Sequence, residues 1–378
     1  MARLVVARAN GPEAALVEGV EVIPVDDLRE VVAILTGEQH PVPAPLPQEP
    51  APRPPPPDLA EVRGQVEGRR GLEVAAAGGH HLLLLGPPGC GKSMLARRLP
   101  SILPPLPADQ ALEVAAVRSV AGRFLDGNAQ ALLDPTPPFR APHHSGSVAA
   151  LLGGGVGIAH PGELSLAHRG VLFLDELFEW PRQVLEGLRE PLEEGVVRVA
   201  RSKATVVYPA QVQVVAAANP CPCGGGPDCA CGDDRVWTYR SRLSAALADR
   251  LDLACMLEPL RAADLLGSAG AEPSAVVAAR VARARQAAAV RWGPGSRNAE
   301  ASPSAVGRTA RPAALRVLAL AVEAGRLSGR GHDRVLRLAR TCADLGGREL
   351  IERDDVDEAH GLRLALRPAP RLAAGAAI

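Results

Sequence analysis

HLLLLGPPGCGKSMLARRL, residues 81–99, reads as an apolar run, a glycine-rich turn and the opening of a helix. The run is continuous rather than alternating, as a strand buried on both faces of a parallel sheet requires. GPPGCGKS, residues 86–93, fits the G-x-x-x-x-G-K-[ST] phosphate loop and follows that strand directly. Gly86, Gly89 and Gly91 let backbone N–H groups turn inward on an anion, with Pro87, Pro88 and Cys90 completing the loop. Lys92 is placed to reach the β- and γ-phosphates of ATP, and the Ser93 hydroxyl is placed for Mg²⁺. The helix opened by SMLARRL presents its N-terminus to the same anion.

Two more apolar runs end in polar residues. GVLFLDEL, residues 170–177, carries Asp175 and Glu176 at its end. Carboxylates beside a core are costly, so the pair needs a reason. After a phosphate loop, Asp175 is expected in the Mg²⁺ shell and Glu176 beside the attacking water. The plain alternative is an acidic cap on the next helix. VQVVAAA, residues 212–218, ends in Asn219. The carboxyl edge of an open α/β sheet is where ligands bind, which makes Asn219 a candidate to orient water or the γ-phosphate. Taken alone, Asn before Pro is an ordinary turn. Helical stretches between the runs predict an α/β fold, a parallel sheet with flanking helices.

The wider chain sets limits. Its 378 residues suggest one large domain plus smaller ones, and 47% hydrophobic residues suffice for a core. With only 2% aromatics, that core rests on Ala, Val and Leu. Formal net charge is zero, so any nucleic-acid contact has to be local. There is no secretory signal and no apolar run of the ~20 residues a membrane helix needs, and a cytoplasmic location is expected. Residues 1–40 alternate strand-like and helix-like pieces, with Asp26 expected to cap the second helix. Residues 41–57, PVPAPLPQEPAPRPPPP, form a Pro-rich linker. The main block spans 58–260. From 261 to 367 the Ala/Arg/Leu-rich spacing predicts a small all-α domain, and 368–378 read as a tail.

Three further features invite a role. Residues 193–210 alternate as a β-hairpin whose Arg198, Arg201 and Lys203 form a basic patch on a neutral chain, suited to a phosphate backbone such as DNA. The alternative is an ordinary solvated tip. His143 and His144, in PFRAPHH, are expected to be packed or hydrogen-bonded rather than ligands. Cys221, Cys223, Cys229 and Cys231 sit in NPCPCGGGPDCACG, between Asn219 and Arg250. Four thiolates suit a structural Zn²⁺, although C-x-C pairs are tighter than the usual C-x₂-C. Reduced loop cysteines are the alternative, and a redox switch comes third because C-x-x-C is absent.

With these motifs in order, the chain resembles the ComM/YifB family of magnesium-chelatase-like AAA+ ATPases. The resemblance rests on DLAEVRGQVEGRRGLEVAAAGGHHLLLLGPPGCGKSMLARRLP, PFRAPHHS, PGELSLAHRGVLFLDEL, AAANPCPCG, SRLSAALADRLDL and GRGHDRVLRLARTCADL. It covers nearly everything from Asp58 to about Arg367. It implies a P-loop AAA+ sheet followed by a helical lid, and a homo-hexameric ring with ATP between subunits. It also implies that Arg250, in ADRLD, is the arginine finger and that Arg330, in SGRGHDR, is the second sensor, with Arg334 as the fallback. Residues 1–37 resemble the end of the family's Lon-protease-like domain, which implies an N-terminally shortened form. The function it implies is DNA remodelling of the helicase or branch-migration type, in recombination or natural transformation. A chelatase-type ATPase subunit and a protein remodeller or scaffold are the competing readings. LLGGGVGIAHPGEL, residues 151–164, and the 193–210 hairpin are the segments placed to meet a substrate in the pore. Neither 151–164 nor 193–207 carries the aromatic that would favour threading of polypeptide.

Overall fold

The computed structural model describes residues 2–44, 56–122, 134–155, 159–200, 205–225, 229–260 and 271–364. Its contacts divide the chain into two units, 1–55 with 105–136, and 56–104 with 137–378. Residues 105–136, read from sequence as part of the 58–260 block, thus group with the N-terminal piece.

In the first unit, β1 (Ala2–Ala7) and β2 (Val20–Val25) pair in parallel, from Ala2 opposite Val20 to Ala7 opposite Val25. The helix Leu28–Thr36 follows. Its cap is Asp27 rather than the expected Asp26, because Asp27 holds the extended backbone a cap needs. Its carboxylate accepts the N–H groups of Arg29 and Glu30 at 2.8 and 3.1 Å. Asp26 accepts from Arg8 Nε at 2.7 Å instead.

The second unit holds β3 (Leu82–Leu85), β4 (Phe139–Arg140), β5 (Gly153–Gly154), β6 (His160–Pro161), β7 (Val171–Leu174), β8 (Val196–Ala200), β9 (Thr205–Pro209), β10 (Gln213–Ala218) and β11 (Leu253–Met256). Five of them form a parallel sheet in the order β11-β3-β10-β7-β4. The α/β class and the three expected central strands are present. β4 and β11, which the sequence reading did not mark, close the two edges.

The uninterrupted apolar runs are explained by what covers each face. Leu82, Leu84, Val171, Phe173, Val215, Ala217, Leu253 and Cys255 join one core with the helix Val66–Gly78 and the C-terminal helices. Their neighbours Leu83, Leu85, Leu172, Leu174, Val214, Ala216, Ala218 and Ala254 join a second core with Trp180, Leu185, Val197 and Tyr208. Successive strand residues point to opposite faces, and here both faces are dry. The helix Val66–Gly78 lies so close to β11 that a Cβ on Gly71 would sit 2.1 Å from Cys255 Sγ. Among the described residues beyond 270, every named element is helical, including Ser274–Trp292, Pro312–Glu323, Gly329–Leu345 and Arg353–Leu364. No helix among the described residues is long and apolar enough to cross a membrane.

Asp252 ties β11 to these helices. It accepts the His81 N–H at 2.9 Å and an Arg334 Nη1 hydrogen bond, with His80 Nδ1 at 3.7 Å. Burial alone would raise its pKa. The neighbouring His80 and His81 rings and the Arg334 guanidinium overcome that and hold it well below the usual carboxylate range. Removing one partner of a buried pair strands the other. Asp252→Ala is therefore expected to cost about 3–5 kcal/mol, read as a lower denaturant midpoint. Because the folded-state pKa is depressed, the stabilisation is complete above the unfolded value, ~3.9. It fades as pH falls below that toward the folded value, and the variant's deficit should shrink in parallel.

Candidate nucleotide site

Register sets the site. Ala218 of β10 lies opposite Leu85 of β3, and Ala216 lies opposite Leu174 of β7. Gly86, Asp175 and Asn219 therefore leave the sheet together at its carboxyl edge. The phosphate loop bends there with Gly89 and Gly91 at φ 78° and 93°, in the left-handed region that glycine enters freely. A Cβ on Gly86 would lie 2.6 Å from the Leu257 carbonyl oxygen, so this position too has room only for glycine.

Lys92 starts the next helix and is 9% exposed. Its ammonium donates to the carbonyls of Gly86 and Pro87 at 2.6 and 2.8 Å and to Asn219 Oδ1 at 3.0 Å. Burial lowers its pKa. Three donors meet three oxygens, and an anion entering the loop competes with those oxygens for the cation. Ser93 Oγ donates to Asp175 Oδ2 at 2.7 Å. Adjacent ligands of an octahedral Mg²⁺ at its usual bond length lie ~2.9 Å apart, so this oxygen pair fits two neighbouring corners of such a shell.

Glu176 adopts φ 50°, ψ 48°. It shares positive φ with just two other non-glycine residues among those described, Gln65 and Arg169. Such backbone costs ~1–3 kcal/mol and clusters where geometry matters. The Glu176 N–H donates to Asp175 Oδ1 at 3.0 Å, and its carboxylate lies 2.8 Å from His144 Nδ1. Buried Trp180 donates to the Asp175 carbonyl at 2.9 Å. Gln65 Nε2 bonds the carbonyls of Cys90 and Glu258 at 2.9 and 2.7 Å, fastening the loop from behind. Gln65, His144 and Trp180 were not read as site residues. The histidine pair does match its expectation, since His143 Nδ1 is 2.8 Å from Ser145 Oγ and its ring lies 4.2 Å from that of His144.

Arg250 and Arg330 are placed elsewhere. Leu253 pairs with Leu82 and Met256 with Leu85, so Arg250 precedes β11 at the amino edge of the sheet. The four residues of β3 span ~13 Å at the rise of a parallel strand, which separates Arg250 from its own phosphate loop. Arg250 pairs with Glu193, Arg330 lies 3.5 Å from Asp249, and Arg334 is engaged by Asp252. The two arginines therefore share one neighbourhood, remote from the phosphate loop of the same chain.

The β8–β9 hairpin is antiparallel, as expected. Arg198 on it pairs with Glu194 and, at 3.3 Å, with Glu190, which offsets its charge. Arg201 and Lys203 lie outside the described residues, as do 156–158 of the glycine-rich segment. The four cysteines converge, with Sγ atoms all within 4.8 Å of one another. Burial pushes the Cys221 thiol up to about 12, while the Gly225 N–H draws Cys223 down to about 6.

This arrangement, a phosphate loop flanked by an acidic and an Asn-tipped strand with a helical C-terminal region, defines a P-loop domain of AAA+ type. The sequence profile described as magnesium chelatase, subunit ChlI, matches residues 58–265, and that of the ChlI C-terminal region matches 271–363. An uncharacterized Mycobacterium tuberculosis protein (strain H37Rv) is 47% identical over 366 residues, covering 95% of this chain and 72% of that protein. YifB of Escherichia coli, also uncharacterized, is 40% identical over 370 residues, covering 96% and 71%. The competence protein ComM of Haemophilus influenzae is 38% identical over 374 residues, covering 96% and 72%. The chain belongs to the magnesium-chelatase-like AAA+ family that includes YifB and ComM.

Proposed function

We propose that the chain is the subunit of a homo-hexameric ATPase that remodels DNA in the cytoplasm. The observation that carries the ring is the division of the chemistry between two edges of one sheet. Lys92, Ser93, Asp175, Glu176 and Asn219 gather at the carboxyl edge, and Arg250 and Arg330 at the amino edge. A complete site then needs a second copy, whose arginines face this copy's ATP.

The geometry supports the following roles. The phosphate loop and Lys92 bind the triphosphate. Ser93 and Asp175 would hold Mg²⁺, which would supply positive charge against the phosphates. Glu176 takes the proton of the attacking water, Asn219 orients that water or the γ-phosphate, and Arg250 of the partner subunit stabilises charge on the transferring phosphoryl group. Zn²⁺ in the Cys221–Cys231 cluster is a structural cofactor.

DNA as the substrate is supported by the similarity to a competence protein and by Arg201 and Lys203 in the hairpin sequence. Arg198, already paired with two glutamates, adds less. The profile's description favours a chelatase-type ATPase subunit as the second reading, and that subunit has no reason to respond to DNA.

The double variant Arg201→Ala/Lys203→Ala distinguishes the two. On the DNA reading its affinity for junction DNA falls and its log affinity–log salt slope flattens by about 2 per engaged hairpin, through lost counterion release. Basal ATP turnover stays at the parent level. Unchanged affinity and unchanged junction unwinding would remove the hairpin from DNA contact.

A further inference from the structure

The cysteine loop is bolted to the nucleotide site rather than standing beside it. Asn219, which accepts from Lys92 at 3.0 Å, precedes the loop by one proline. Gly224, at φ 97°, rests on the phosphate loop so closely that a Cβ would lie 2.8 Å from the Cγ and Cδ atoms of Pro88. Gly225 closes on Pro220, where a Cβ would be 2.3 Å from the ring. Arg240 Nε holds the Pro220 carbonyl at 3.0 Å. Between these anchors, the sulfurs of Cys221, Cys223 and Cys229 lie 3.2–3.4 Å apart. That is far beyond a disulfide bond, ~2.05 Å. It is close to the ~3.8 Å separating thiolates around one tetrahedral Zn²⁺.

Cys221 and Cys223 stand on the Asn219 side, and Cys229 and Cys231 on the side leading into the helix Asp233–Arg240. Glycines and prolines make up much of the loop, and no strand or helix is assigned between Ala218 and Asp233 among its described residues. Among the described residues, the sulfurs and the Arg240–Pro220 hydrogen bond are what join its two arms. A set of four thiolates is a closed site, with no position left for water or substrate, and such sites contribute folding energy rather than chemistry.

We infer that one Zn²⁺ bound by Cys221, Cys223, Cys229 and Cys231 is a positioning element of the ATP site, fixing Asn219 and the Pro88 turn against each other. The inference rests on the nucleotide-site reading above. The metal draws the two arms together, Gly224 is thereby pressed on Pro88, and Asn219 is held where it meets Lys92. Without the metal the loop loosens at both contacts, and catalysis suffers more than binding, because loop and Lys92 still hold the triphosphate while the water-orienting amide wanders.

The test uses full-length protein made without a metal-affinity tag. Three measurements are made: zinc per chain, affinity for a fluorescent ATP analogue, and kcat with KM for ATP. The parent should carry about one zinc per chain. The variant Cys229→Ser/Cys231→Ser changes only cysteines distant in sequence from Asn219. It should carry no zinc and lose about ten- to a hundredfold in kcat, the scale of a remote misplacement of about 1 Å, with analogue affinity changed less than threefold. Cys231→His, which keeps a zinc ligand, should retain the metal and most of kcat. If the double variant fails to fold by circular dichroism, the parent is stripped by chelation and refilled with Zn²⁺, and the same loss and recovery of kcat is expected. A parent without zinc, or with iron or a disulfide in its place, would overturn the inference. So would a zinc-free protein with parental kcat. A zinc-loaded parent that binds the analogue but never hydrolyses ATP would defeat the ATPase reading instead, and the zinc content would still be read.

Discussion

Glu176→Gln should bind ATP with near-parental affinity and hydrolyse it about 10²–10⁴ times more slowly, the usual contribution of a positioned general base. That is a loss of about 3–5 kcal/mol of transition-state stabilisation. The substitution isolates chemistry from shape. The left-handed backbone at Glu176 and the Asp175 hydrogen bond to its N–H do not depend on the side-chain charge. The side chain is 52% exposed, so the amide meets no packing obstacle, and its carbonyl can still accept from His144. What the amide lacks is the basicity to take a proton from water. Single-turnover hydrolysis beside analogue binding separates the two quantities. Parental turnover would mean that water is activated by another group, and would return the Asp-Glu pair to the role of a helix cap.

Arg250→Ala should lose about a thousandfold in turnover or more, within the range for arginine fingers, while nucleotide affinity stays close to that of the parent. The reason is placement. Arg250 precedes β11 at the edge of the sheet opposite the phosphate loop, so its loss leaves the loop of its own subunit intact. Its partner in this chain, Glu193, is 63% exposed, and releasing it to water costs little stability. Mixing Arg250→Ala with Lys92→Ala protein should restore part of the activity. Some interfaces in mixed rings join an intact loop from one variant to an intact arginine from the other. Mixed rings shown to co-assemble yet remaining inactive would contradict action between subunits.

The central strands were legible because burial on both faces leaves little place for polar residues, so β3 and β7 are unbroken apolar runs, and β10 is interrupted only by Gln213, whose buried amide donates to the Ala75 and His80 carbonyls. The edges were not. β4 has two residues, and β11 follows Asp252, whose carboxylate is buried only because His81 and Arg334 satisfy it. Asp26 and Asp27 look equivalent in sequence, and only the backbone angle at Asp27 selects the cap. Lys92, Ser93, Asp175 and Asn219 could be read because each follows its strand locally, and register then assembles them. His144 could not. It meets Glu176 because β4 returns beside β7, with Arg140 opposite Leu172 and each residue of the pair four positions further on. Gln65 likewise reaches the Cys90 carbonyl across 25 residues of chain, with no local pattern to announce it.

The most direct test of an ATP-driven DNA motor is the steady-state ATPase rate of the purified protein, measured alone and with single-stranded, duplex and four-way-junction DNA. Measurable turnover is expected, rising severalfold with DNA, most with the branched substrate, and disappearing in Lys92→Ala. Turnover indifferent to every DNA added would contradict the DNA motor, and no turnover from protein that binds ATP and assembles would contradict the motor altogether.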